Sequence, residues 1–177
     1  MQSPIRMRNP AELRARHPGE DELWAVDADR QCLLRWTGNR WLDPEPVSTS
    51  RHGFGNDEGS FRTPLGPHRV CEVIGVGAPL GQPFVSREPA GPPVERFDAG
   101  GEDAVLTRIL WLDGLEPGLN HRSRGRYIYL HGTNREDRLG LPASRGCVRM
   151  RNRTIAAWAD ALGPRRPLVW IGAFEEL

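Results

Sequence analysis

Lysine is absent, so all 24 basic side chains are arginines, and 23 carboxylates leave a net charge of only +1. No DNA- or RNA-binding motif is present, so a nucleic-acid partner is not expected. Cysteine is sparse and odd in number: Cys32, Cys71 and Cys147 lie far apart, which excludes a disulfide framework and a paired-cysteine metal site. No apolar run is long enough to cross a bilayer as a helix. The polar opening segment, residues 1–22, holds four arginines and four acids and lacks the apolar centre of a secretory signal. Uninterrupted helical stretches are also few, because 16 prolines and 20 glycines punctuate 177 residues. With 38% hydrophobic content, the chain fits one loop-rich, mainly β domain over residues 23–177 that needs no cross-links.

What charge there is lies unevenly. Residues 121–153 hold nine arginines against Glu136 and Asp137, a local +7, and the rest of the chain carries −6. A basic cleft concentrates anionic ligands; a solvated surface and a compositional bias toward arginine explain the same pattern.

Along the chain, residues 23–27 and 31–36 read as a β-hairpin, and 40–50 as a strand made irregular by Pro44 and Pro46. Residues 67–76 and 82–87 are further strands, 89–101 a loop or flap, 104–112 a central strand, and 167–172 a closing strand. The glycines of residues 51–62 do not join a strand to a helix, so a phosphate-binding loop is disfavoured, and no EF-hand spacing is present. One helix stands out over residues 152–162. Ile155, Trp158, Ala159 and Leu162 share a face, Asn152 is its expected cap, and Gly163-Pro164 ends it. Cys32 and Cys71 read as buried thiols, and His17, His52, His68 and His121 as surface residues.

The remaining histidine and cysteine lie in the stretch the chain is organised around. Residues 127–131 alternate so that Tyr127, Tyr129 and His131 share one sheet face and Ile128 and Leu130 the other. Sixteen positions after His131, Cys147 follows Ser144-Arg145-Gly146. That spacing suits an imidazole drawing the proton from a sulfur nucleophile across a folded-back loop.

His131-Gly132 followed by Gly140-x-Pro142-x-Ser144-x-Gly146-Cys147-Val148-Arg149 resembles the signature of the L,D-transpeptidase (YkuD-type) catalytic domain of peptidoglycan enzymes. Pro46-Val47-Ser48-Thr49 and Thr63-Pro64-Leu65-Gly66 are similar to upstream pieces of that family, and the matches span residues 23–172. The resemblance implies a curved mixed β-sandwich with one main helix after the cysteine. Cys147 would be the nucleophile and His131 its base, with the Gly132 carbonyl orienting the ring. Backbone N–H groups of Arg145, Gly146 and Cys147 would form the oxyanion hole. Arg149, Ser144 and Tyr129 would contact substrate, with Arg149 clamping a carboxylate.

The family usually has histidine where this chain has Arg145. An arginine there keeps a positive charge beside the sulfur and leaves the proton transfers to His131. The implied reaction releases D-Ala from a tetrapeptide stem through a Cys147 thioester and joins the acyl group to an amine of a second stem. Hydrolysis of the same thioester and a catalytically silent wall-binding module stay open as alternatives. Carbapenems are expected inhibitors, and no cofactor or metal is implied. Such chemistry belongs in the periplasm or cell envelope; with no signal peptide in this chain, a cytoplasmic location or a non-standard export route stays open.

Overall fold

The computed structural model describes residues 6–7, 9–18, 22–98, 100–164 and 166–174. Within the polar opening segment, strand β1 (Arg6–Met7) precedes a short helix α1 (Pro10–Ala15), capped by the Asn9 side chain, which accepts from the N–H groups of Ala11 and Glu12. The rest of residues 1–22, apart from 9, 16–18 and 22, lies outside the described residues.

The expected hairpin forms from β2 (Leu23–Asp27) and β3 (Cys32–Trp36), in antiparallel register from Leu23↔Trp36 to Asp27↔Cys32. Its turn is fastened by the Asp27 carboxylate, which accepts from the N–H groups of Asp29 at 3.0 Å and Arg30 at 3.2 Å. The prolines of the next segment cut its strand to β4 (Glu45–Pro46). Then come β5 (Gly66–Ile74), the hairpin pair β6 (Phe84–Val85) and β7 (Glu88–Pro89), β8 (Val105–Gly114), β9 (Tyr129–Thr133), β10 (Val148–Met150), helix α2 (Asn152–Asp160) and β11 (Leu168–Phe174).

These strands build a curled mixed sheet, ordered β10-β9-β8-β5-β11-β2-β3-β4, with β1 added beside β11 and β6–β7 apart. The fold is therefore mainly β with one main helix, as the resemblance implies. Last in sequence, β11 lies at the sheet's centre, antiparallel to β5 and parallel to β2. All seven of its residues are buried, which its continuous apolar run requires. One face of the sheet packs under α2: Leu130, Val148 and Met150 meet Ile155 and Ala159, and the Trp158 ring meets Trp24 edge-on at 5.2 Å. A smaller cluster of Phe84, Ile109 and Tyr129 lies against Cys147.

Several details differ from the sequence reading: Cys71 is only partly buried, and Tyr127, with φ +56, precedes β9 rather than joining its alternation. Helix α2 begins at Asn152, so Asn152 is its first residue rather than its cap, and its N–H donates to the Glu136 carboxylate at 2.7 Å. That carboxylate arrives from a 3₁₀ turn, Glu136–Arg138, and places negative charge at the helix start. Residue His68 is fully buried in β5: its Nδ1–H donates to the Gly66 carbonyl at 2.9 Å and its Nε2 accepts from the Ser123 hydroxyl at 3.0 Å. Burial pushes that imidazole down to about 4. Finally, β8 bulges at Thr107 and Arg108, because Leu106 pairs with Gly132 but Ile109 with His131.

Candidate active site

Strands β9 and β10 run parallel with Leu130↔Val148, His131↔Arg149 and Gly132↔Met150 in register. Partners in such a ladder send their side chains to the same face, and the face alternates along each strand. Leu130, Val148 and Met150 enter the core under α2, so His131 and Arg149 emerge on the opposite face. Cys147 precedes Arg149 by two residues and emerges there too, beside Tyr129. Imidazole and thiol thus leave the same face of the sheet, the thiol one residue ahead of β10.

The His131 ring is buried, with Nδ1 2.7 Å from the Gly132 carbonyl. A carbonyl only accepts, so Nδ1 carries the hydrogen and Nε2 holds the lone pair of the neutral ring. Burial lowers this imidazole's pKa, against an opposing pull from Asp103. Gly132 itself is set tightly: a Cβ there would come within 2.3 Å of Asn152 Oδ1 and 2.8 Å of the Leu106 carbonyl oxygen. Fully buried Asn152 holds this corner. Its Nδ2 donates to the Thr133 carbonyl and to Glu136, and its Oδ1 accepts from the Thr107 hydroxyl supplied by the β8 bulge.

Cys147 is half-buried, and its thiol donates to the Tyr127 carbonyl at 3.4 Å. Burial pushes the thiol up to about 11; a hydrogen bond from the Tyr129 backbone pulls it down, Asp103 pushes it further up, and Arg149 and Arg126 pull it down. The spacing of His131 and Cys147 suggests an imidazole that draws off the thiol proton. Burial instead favours the neutral form of both groups.

The loop before the sulfur is held by backbone contacts. Ala143 and Ser144 donate their N–H groups to the Thr49 carbonyl, Ser48 and Arg149 exchange hydrogen bonds, and the Thr63 hydroxyl donates to the Gly146 carbonyl at 2.9 Å. Both upstream pieces singled out in the sequence therefore meet this loop. Gly146 has φ +125, a conformation that favours glycine. Ser144, expected at the substrate, is buried: its hydroxyl donates to the Cys147 carbonyl at 2.6 Å and accepts from the Gly146 N–H at 3.2 Å. That bond engages one of the three N–H groups expected in an oxyanion hole.

The other expected substrate contacts are also differently placed. Arg149 is buried, with Nε 2.8 Å from Asp103 Oδ2 and Nη2 donating to the Ala143 carbonyl. The approach of Nε to the carboxylate is close but too oblique for a hydrogen bond. Its charge is already matched within the protein, so a free carboxylate clamp is not what the side chain offers. Tyr129 forms a buried wall, edge-on to Trp111 at 5.8 Å, and its hydroxyl accepts from Arg87 at 3.3 Å. Tyr127 is half-exposed and stacks on Trp111. Arg145 is exposed and lines a cavity together with Arg149; the cations that act on the sulfur are Arg149 and Arg126.

Sequence reasoning missed Asp103, Arg126 and the bracing role of Asn152. Arg126 binds the 51–62 loop through the Gly55 and Arg62 carbonyls, and Asp103 accepts from the Thr133 hydroxyl at 2.6 Å. Neither stands in a local motif; both are held by hydrogen-bond partners 30 or more residues away, and only the folded sheet brings them in.

The model of the L,D-transpeptidase catalytic domain matches residues 21–171. Among solved structures, an L,D-transpeptidase from Mycobacterium smegmatis superposes with TM-score 0.52 at 16% identity, over 86% of this chain and 59% of that one. An L,D-transpeptidase from Xylanimonas cellulosilytica gives 0.54 at 19% identity, over 86% and 60%. L,D-transpeptidase 3 from Mycobacterium tuberculosis, in complex with a faropenem-derived adduct, gives 0.50 at 15% identity, over 86% and 60%. At these identities the likeness is one of fold, and this chain spans about three fifths of the length of those relatives. No curated protein matches it in sequence.

Proposed function

Because the chain belongs to the L,D-transpeptidase (YkuD-type) catalytic-domain family, we propose that it is a peptidoglycan L,D-transpeptidase with Cys147 as nucleophile and His131 as base. One observation carries the assignment: His131 leaves the same face of β9 as Tyr129, and Cys147, the residue before β10, packs against Tyr129.

Burial favours the neutral form of both groups, which supports proton transfer during attack rather than a preformed ion pair. Nε2 of His131 takes the thiol proton as Sγ bonds to the carbonyl carbon that precedes D-Ala in a tetrapeptide stem. The oxyanion that forms is met by the N–H groups of Arg145 and Cys147, since that of Gly146 is engaged by Ser144. Collapse breaks the C–N bond; the imidazolium returns its proton to the departing D-Ala amine, and a thioester remains. An amine of a second stem then attacks and gives a proton to His131, which passes it to the departing sulfur as the C–S bond breaks, leaving a 3→3 cross-link and a free thiol. The Gly132 carbonyl keeps Nε2 as the accepting nitrogen throughout. The site of action is the cell envelope, and carbapenems are expected to acylate the same sulfur.

The test is to incubate the protein with disaccharide-tetrapeptide and resolve the products by mass spectrometry. Dimer plus D-Ala, absent with Cys147→Ala, is expected. Tripeptide plus D-Ala without dimer would make water the acceptor and the protein a carboxypeptidase. Intact tetrapeptide with both proteins would overturn the enzyme reading.

A further inference from the structure

Unmatched positive charge gathers beside the catalytic loop. A cavity of about 640 Å³ opens there, large enough for a small organic ligand. Five arginines line it, Arg51, Arg135, Arg138, Arg145 and Arg149, against two carboxylates, Glu102 and Asp103. Two of the five are already matched. Arg149 lies against Asp103, and Arg135 holds Asp137 through two bonds of 2.9 Å while also donating to the Gly101 carbonyl.

The other three remain available. Arg138 reaches Asp137 only at 3.4 Å and shares it with Arg135. Arg51 donates to the ring of its neighbour His52 at 3.3 Å, and neither Arg51 nor Arg145 has a carboxylate partner among the described residues. Three guanidinium groups gathered at one cavity repel one another, and an anion relieves that cost. Their planar forks fit carboxylates in particular.

They are also held in place by separate segments. Arg51 donates its N–H to the Ser144 carbonyl, Arg138 ends the 3₁₀ turn whose Glu136 caps α2, and Arg145 sits in the loop pinned to Thr49. The cavity adjoins the reacting pair, because Arg149 is the ladder partner of His131 and Arg145 is two residues from Cys147.

We propose that this cavity is a carboxylate subsite, in which Arg51, Arg138 and Arg145 bind the free carboxylates of a peptide substrate. The proposal rests on the reading of the protein as an enzyme acting on stem peptides, and it makes the chain selective for substrates whose carboxylates are not amidated. Arginine at position 145 is then a specificity residue.

The experiment measures binding to the Cys147→Ala protein by calorimetry, using disaccharide-tetrapeptide with free carboxylates and the same compound fully amidated. The free form is expected to bind at least about tenfold more tightly, as one charge-assisted contact or more would give. In the Arg51→Gln/Arg145→Gln background the two forms should bind alike, whereas Arg40→Gln, an exposed arginine outside the cavity, should keep the preference. Circular dichroism confirms that each variant folds. Equal binding of the two forms to the parent, or a preference that survives the double substitution, would overturn the subsite. Displacement of the peptide by inorganic phosphate at equal concentration would do so too, by marking a general oxyanion site. Turnover separates this failure from that of the functional reading: a preference without turnover leaves the subsite standing and the transpeptidase assignment lost, and turnover without preference does the reverse.

Discussion

At the Cys147 sulfur, burial outweighs the Tyr129 backbone and two arginines, and the thiol is pushed up to about 11. Thiolate is the species that alkylates. Against an ordinary thiol near 8.5, the thiolate fraction at pH 7 is lower by about two orders of magnitude. Carbamidomethylation of Cys147 by iodoacetamide, followed by peptide mass spectrometry, should be slow at pH 7 and rise about tenfold per pH unit up to about pH 11. A rate already flat near neutrality would mean that His131 holds the proton at rest. Arg126 favours the thiolate, so Arg126→Gln should shift the alkylation profile further toward alkaline pH.

Among the elements, the junction of β9, α2 and the β8 bulge controls where the imidazole sits. Asn152→Ala leaves the Thr107 hydroxyl and the Thr133 carbonyl without their partner, at about 1–3 kcal/mol for each buried group left unsatisfied. We expect a lower melting temperature and, in steady-state kinetics, a reduced kcat with KM little changed, because the ring moves while the cavity stays. Gly132→Ala drives a Cβ against Asn152 and the Leu106 carbonyl; overpacking of this kind costs about 1–3 kcal/mol, and thermal denaturation reads it directly. Much of this region was legible beforehand: alternation placed Tyr129 and His131 on one face, and helical periodicity gave α2 to within two residues at its end. The bulge, the Glu136 cap, Asp103 and the neutralised Arg149 were not. Each depends on partners 16 to 46 positions apart in sequence, and a local pattern holds no record of such pairings. His68 was misread for the same reason: its burial comes from β5 lying beside the central β11, while its own neighbours in sequence are polar or turn-forming.

For the whole molecule, His68 makes stability depend on pH. Its folded pKa is about 4 against a reference of 6.5, so the unfolded chain takes up a proton over this interval that the folded chain does not. Stability is therefore full above pH 6.5 and is lost as pH falls toward 4, by about 3 kcal/mol in all. The lowered pKa of His131 acts in the same direction. Urea unfolding across that range should show the decline, and His68→Gln should flatten its slope while lowering the plateau, since the contacts to Gly66 and Ser123 are disturbed.

The parallel pairing of β9 with β10 also bears on how such a chain tolerates change. The crossover between the two strands, residues 134–147, is exposed at residues 137–138 and 140–142, so residues inserted there lengthen a connection and leave the β9–β10 ladder as it was. One residue inserted between Cys147 and Val148 would turn the sulfur toward the opposite side of the sheet. The pairing thus fixes the parity of the chain approaching the strand more strictly than the number of residues separating base from sulfur.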